Sequence, residues 1–118
     1  KLNPFVSMQP EFLTRFGHAY LRQLGPSRAS RLKRFRSVID AGLRLSLSSD
    51  RPIVAGDPWV GARMAINRPE AFDPAENLTR AEAIDGYIAQ GLAAMGDSAE
   101  KVSSFGQTLW LDTDPLGG

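Results

Sequence analysis

Leu43-Arg44-Leu45-Ser46-Leu47-Ser48-Ser49-Asp50 decides the fold. Leucine alternates with Arg or Ser, a period of two that belongs to a strand and not to a helix. Leu43, Leu45 and Leu47 share one face, and Arg44, Ser46, Ser48 and Asp50 share the other. Upstream, Phe5-Val6-Ser7-Met8 is a short apolar run closed by Gln9-Pro10, and it reads as a buried strand. Two helical stretches lie between. Residues 11–24 set Phe12, Leu13, Phe16, Tyr20, Leu21 and Leu24 at helical spacing, with Gly17 weakening the middle. Residues 28–41 follow Gly25-Pro26, with Ser27 as N-cap and Leu32, Phe35, Val38 and Ile39 as the apolar stripe. Strand, helices, strand is a parallel βαβ unit with a right-handed crossover.

Downstream the pattern turns helical. Pro52, Gly56 and Pro58 mark a loop over 51–58, and 59–67 reads as a short helix. A second loop over 68–77 leads to Thr79-Arg80-Ala81-Glu82, a capping box. The helix it opens carries Ile84, Tyr87, Ile88, Leu92 and Met95 on one face and ends at Gly96. Its small residues, Ala83, Gly86, Ala89 and Gly91 among them, suit close packing on a sheet. Leu109-Trp110-Leu111 reads as a last strand, and Asp112-Thr113-Asp114-Pro115 as a turn.

At 118 residues and 42% hydrophobic, the chain fits one domain and is too apolar for a disordered segment of near-neutral charge. No run approaches the roughly 18 apolar residues of a membrane helix. The absence of Cys excludes a cysteine zinc site and a thiol nucleophile. Ten Lys/Arg against three Asp/Glu give residues 1–51 a charge of +7, and four against ten give 52–118 a charge of −6. The densest cationic run is Arg28, Arg31, Lys33, Arg34 and Arg36. No aromatics interleave with it as stacking platforms would, so it reads as a helix face whose counter-charge lies in the acidic half, and no nucleic-acid or membrane partner is expected. The chain opens on Lys1, which is expected of a piece of something longer.

Several segments together resemble one family. They are Ser7-Met8-Gln9-Pro10, Leu24-Gly25-Pro26-Ser27-Arg28-Ala29, Phe35-Arg36-Ser37-Val38-Ile39-Asp40-Ala41-Gly42 and Leu45-Ser46-Leu47-Ser48-Ser49-Asp50-Arg51-Pro52. Asp57-Pro58-Trp59-Val60-Gly61, Ala65-Ile66-Asn67-Arg68, Leu78-Thr79-Arg80-Ala81-Glu82-Ala83-Ile84 and Leu111-Asp112-Thr113-Asp114-Pro115-Leu116 continue the series. In this order and spacing they are similar to the C-terminal part of the amidohydrolase family 3 proteins. Each piece alone is weak, and the ordered set is specific. Tyr87-Ile88 departs from the usual Tyr-Thr, and 101–108 is shorter than the family segment.

The resemblance implies an α/β fold: residues 1–96 as the last two βα units of a TIM-type (β/α)8 barrel, and 97–118 as the remnant of a small composite β-domain. It implies a metal-dependent hydrolase acting on C–N bonds of amides, formamides or cyclic amides, with a divalent metal, zinc by family expectation. The matching Asp, here Asp50, ligates the metal and takes the proton of the bound water. The strand pattern agrees, because Asp50 lies at the C-terminal end of its strand on the face opposite the leucines. Asp50 also fits as the cap of the Arg51-Pro52 turn. Gln9, at the end of the first strand, is placed to donate to a substrate carbonyl or to satisfy backbone beside Pro10. Ser48 is read as a substrate contact or a small rim filler, and Trp59 as a pocket wall or a core residue. His18, the one histidine, sits mid-helix and is not expected to be a ligand; the Asp112/Asp114 pair belongs to a turn.

One carboxylate does not hold a catalytic divalent ion, since such zinc sites use three protein ligands. The chain alone is therefore expected to be inactive. Open strand edges make it prone to pair with a second copy through exposed Val6, Met8, Leu45 and Leu47, and with no targeting segment in the sequence it is expected to be cytoplasmic. A different reading is a small non-catalytic binding module whose basic 28–36 helix meets an acidic partner or nucleic acid.

Overall fold

The computed structural model describes residues 3–97 and 111–117. Phe5–Met8 forms β1 and Arg44–Leu47 forms β2. They pair in parallel, with Phe5 opposite Arg44, Val6 opposite Leu45, Ser7 opposite Ser46 and Met8 opposite Leu47. The amide of Ser48 donates to Met8 O at 3.0 Å and carries the pairing one rung further. The crossover holds α1 (Phe12–Arg15), α2 (Gly17–Leu24), α3 (Pro26–Ala29) and α4 (Phe35–Asp40). After β2 come α5 (Pro58–Ile66), a 3₁₀ turn (Pro74–Glu76), α6 (Arg80–Tyr87) and α7 (Ala89–Ala94).

The two long crossover helices expected from periodicity are each broken in two. The first breaks at Phe16, whose ring meets Phe12 edge-on at 5.0 Å. Gly17 is buried there, and a Cβ on it would lie 3.3 Å from the Phe72 ring. The glycine therefore admits an aromatic side chain from the 68–77 loop. The second break centres on Lys33, which takes φ 53. Arg68 donates to Leu32 O and Lys33 O, both at 2.5 Å. The amide of Ser37, which a continuous helix would aim at Lys33 O, donates instead to Glu76 Oε2 at 2.9 Å. Both halves of the interrupted ladder are thus satisfied by side chains of one later loop.

The core gathers Leu13, Phe35, Leu45, Leu47, Ala62, Ala65, Phe72, Leu78 and Ala83. Leu45, Ser46 and Leu47 are all buried, because α4, α6 and α7 pack on β2. Close approach comes from the small residues of α6. A Cβ on Gly86 would fall 2.8 Å from Leu47 Cγ, and one on Gly61 of α5 would fall 1.8 Å from Tyr87 Oη.

These contacts correct the expected fold class. The described residues form a small α/β unit with a two-stranded parallel sheet, and a portion of a TIM-type barrel is not evident among them. A period of two marks one apolar face of a strand, but not what covers that face. Here helices of the same chain cover β2, so Leu45 and Leu47 do not meet water or a second copy as expected. Of the expected last strand, residues 109 and 110 lie outside the described residues, and Leu111 is exposed and not in a strand. Residues 111–117 return to the helices: Arg80 pairs with Asp114, Arg63 donates to Pro115 O at 2.5 Å, and Leu116 packs on the core. Among the described residues no helix is long and apolar enough to cross a membrane.

The capping box stands as the sequence reads it, and it joins the two halves of the charge split. Glu82 accepts from Thr79 N at 2.8 Å and from both terminal nitrogens of Arg36. The Arg36 hydrogen bonds and the Thr79 donors outweigh burial and hold its carboxyl at about 2, below its ordinary 4.5. A folded-state value below the unfolded one stabilises above the unfolded value and is lost on acidification. The melting temperature is therefore expected to fall as pH drops from 4.5 toward 2, with Glu82→Gln flattening that slope in thermal melts across the range.

Candidate functional site

Parallel α/β sheets place their ligands off the carboxyl ends of the strands. In this chain those ends carry Gln9 after β1 and Ser48 after β2, as the sequence reading expects. Gln9 Nε2 donates to Ser48 Oγ at 3.1 Å, and the Ser7 and Ser48 hydroxyls lie 3.2 Å apart. Parallel register explains the meeting, since Ser48 follows Leu47, the partner of Met8, and Gln9 follows Met8.

The sequence reading missed the third member of this row. Lys33 Nζ donates to Gln9 Oε1 at 3.1 Å and stands 5.0 Å from the centre of the Phe12 ring. The broken helix brings it there; a continuous one would leave it among its basic neighbours on a solvated face. Burial pushes the ammonium below the ordinary lysine value, and the charge of Asp50 opposes that shift. Asp50 itself is exposed in the turn after β2, at φ 56. Among the described residues, Lys33 and Asp50 are the two non-glycine residues in the left-handed region. Such conformations persist only where the surroundings fix them, and they gather at functional sites.

Gln9, Ser48 and Lys33 thus make one hydrogen-bonded row of an amide, a hydroxyl and an ammonium, and the charge of Asp50 acts on Lys33. Trp59 does not join it. Its amide donates to Asp57 Oδ1 at 2.8 Å in the cap of α5, and its ring is half-buried in an apolar groove with Pro58, Ala62, Ile84, Tyr87 and Ile88. His18 is exposed on α2, and Asp114 is taken up by Arg80.

Two cations of the basic run are engaged by carboxylates, while Arg28 and Arg31 are exposed. Arg34 pairs with Glu76 at 3.3 Å, and Arg36 pairs with Glu82 and Asp40. For a divalent metal the described residues offer no group of three or more His, Cys, Asp or Glu. Asp50 by itself does not make such a site, so the metal implied by the resemblance does not fit these residues alone. No family model, curated protein or solved structure matches the chain.

Proposed function

We propose that this chain is part of a metal-dependent hydrolase acting on C–N bonds other than peptide bonds, in amides, formamides or cyclic amides, and that Asp50 is its carboxylate base. One observation carries the reading: Asp50 follows the carboxyl end of β2 by three residues, and its charge acts on Lys33, a member of the hydrogen-bonded row that joins the ends of both strands. The ordered segments from Ser7 to Leu116 that resemble amidohydrolase family 3 support it. In this reading Asp50 takes the proton of the attacking water. Gln9, with its amide oriented by Lys33 and Ser48, offers its remaining N–H to the substrate oxygen. Metal ligands beyond Asp50 have to come from outside the described residues, so no step is routed through the metal. A nucleic-acid module has less support, because Arg34 and Arg36 are already paired with carboxylates.

The test is hydrolysis of a panel of amides, formamides and cyclic amides by the protein carrying this chain in full, with zinc supplied. Release of amine or ammonia is the readout. Asp50→Asn is expected to keep the melting temperature and lose about 100-fold or more in turnover, as removal of a general base does. An inactive wild type across the panel, or an Asn variant as fast as wild type, overturns the reading.

A further inference from the structure

We propose that Lys33, with Gln9 and Ser48, forms a binding site for the carboxylate of a small aliphatic acid, whose apolar tail lies in the groove between β1 and α4. Two observations meet at Lys33. The first is donor capacity. Lys33 Nζ has three hydrogens and gives one to Gln9, and Gln9 Nε2 keeps a second hydrogen beyond the one given to Ser48. The row therefore ends in spare donors, which suit an anionic oxygen.

The second is the groove. Lys33 is also a wall of an open cavity of about 650 Å³ whose apolar lining includes Met8, Leu32, Val38, Ala41 and Leu43. Cationic side chains beside an apolar trough describe an anionic ligand with a hydrocarbon body. Exposed Arg31 and Arg34 line the same cavity and add positive potential.

The site shares Gln9, Lys33 and Ser48 with the hydrolase reading and rests on their hydrogen bonds, not on turnover. If both hold, it binds the acid portion that amide hydrolysis releases. The experiment is a titration of the full chain with hexanoate, acetate, hexanol and inorganic phosphate, followed by amide chemical shifts. Hexanoate is expected to saturate, with the largest shifts at Lys33, Gln9 and Ser48. Acetate, hexanol and phosphate are each expected to bind at least tenfold more weakly. Lys33→Met is expected to lose tenfold or more in hexanoate affinity, and Asp50→Asn to gain severalfold. Gln9→Glu, which adds a carboxylate to the row, serves as a second variant and is expected to weaken binding should Lys33→Met fail to fold. Hexanol binding as tightly as hexanoate, phosphate binding more tightly, or unchanged affinity in the folded Lys33 or Gln9 variant overturns the site. Hexanoate binding without amide turnover sinks the hydrolase reading alone, and turnover without hexanoate binding sinks this one alone.

Discussion

Phe35→Ala is expected to destabilise the chain by about 3–5 kcal/mol, the range for truncating a fully buried aromatic. Phe35 is 0% exposed and opens α4, at the point where the crossover resumes after its break. Its ring shares the core with Leu13, Leu45, Leu47 and Phe72. Its face also lies under the Arg68 guanidinium, 5.3 Å from the centroid. Truncation therefore removes three things together: apolar burial, the contacts across the resulting cavity, and the π-face that a buried cation rests on. A domain of this size is held by about 5–15 kcal/mol, so the variant forfeits a large part of its stability. In thermal melts the loss is expected as about 10–25 °C. Met95, 74% exposed at the end of α7, is the control, and its alanine variant is expected to stay within about 0.5 kcal/mol of wild type. Equal melting temperatures for the two variants would show that the core does not centre on Phe35.

The strands and the capping box are legible in the sequence because local rules set them. Alternation at 43–50 and the apolar run at 5–8 give β2 and β1, and their parallel pairing follows from the helical crossover. Thr79 and Glu82 cap α6 with groups three residues apart. The helix breaks are not legible, because their causes lie far along the chain. Arg68 reaches back to Leu32 and Lys33, and Glu76 to Ser37, across loops that read only as Pro-rich connections. The same distance hides part of the site. Gln9 and Ser48 are singled out at strand ends and do meet, and Asp50 is singled out by the resemblance. Lys33 reads as one cation in a solvated run, and it enters the site only because the helix carrying it is interrupted. The barrel expectation fails for a related reason. Alternating leucines state that a strand is covered, while Ala83 and Gly86 decide that a helix of this chain covers it.

Arg68→Lys is expected to be more damaging than Arg68→Met, although it keeps the charge. Arg68 is 6% exposed, and burial works against its ion more strongly than the fields of Glu76 and Asp73 support it. No carboxylate is hydrogen-bonded to it among the described residues, and its Nε has no partner. What keeps the guanidinium in place is its fork, with one nitrogen on each of two successive carbonyls, and its plane over Phe35 and Phe72. Lysine retains the full cost of a buried cation but presents a point charge that does not match two carbonyls at once. Its expected cost is about 3–5 kcal/mol, that of an inadequately compensated buried charge. Methionine loses the two hydrogen bonds, worth about 1.5–3 kcal/mol each to a charged donor, but also relieves the desolvation, so its net cost is expected to be smaller. Urea denaturation of the three proteins reads the order directly. The same bonds fix the backbone at Lys33, so both variants are expected to weaken hexanoate binding even at temperatures where they remain folded. If lysine proves milder than methionine, the charge and not the fork holds the turn. The left-handed placement of Lys33 would then need another cause.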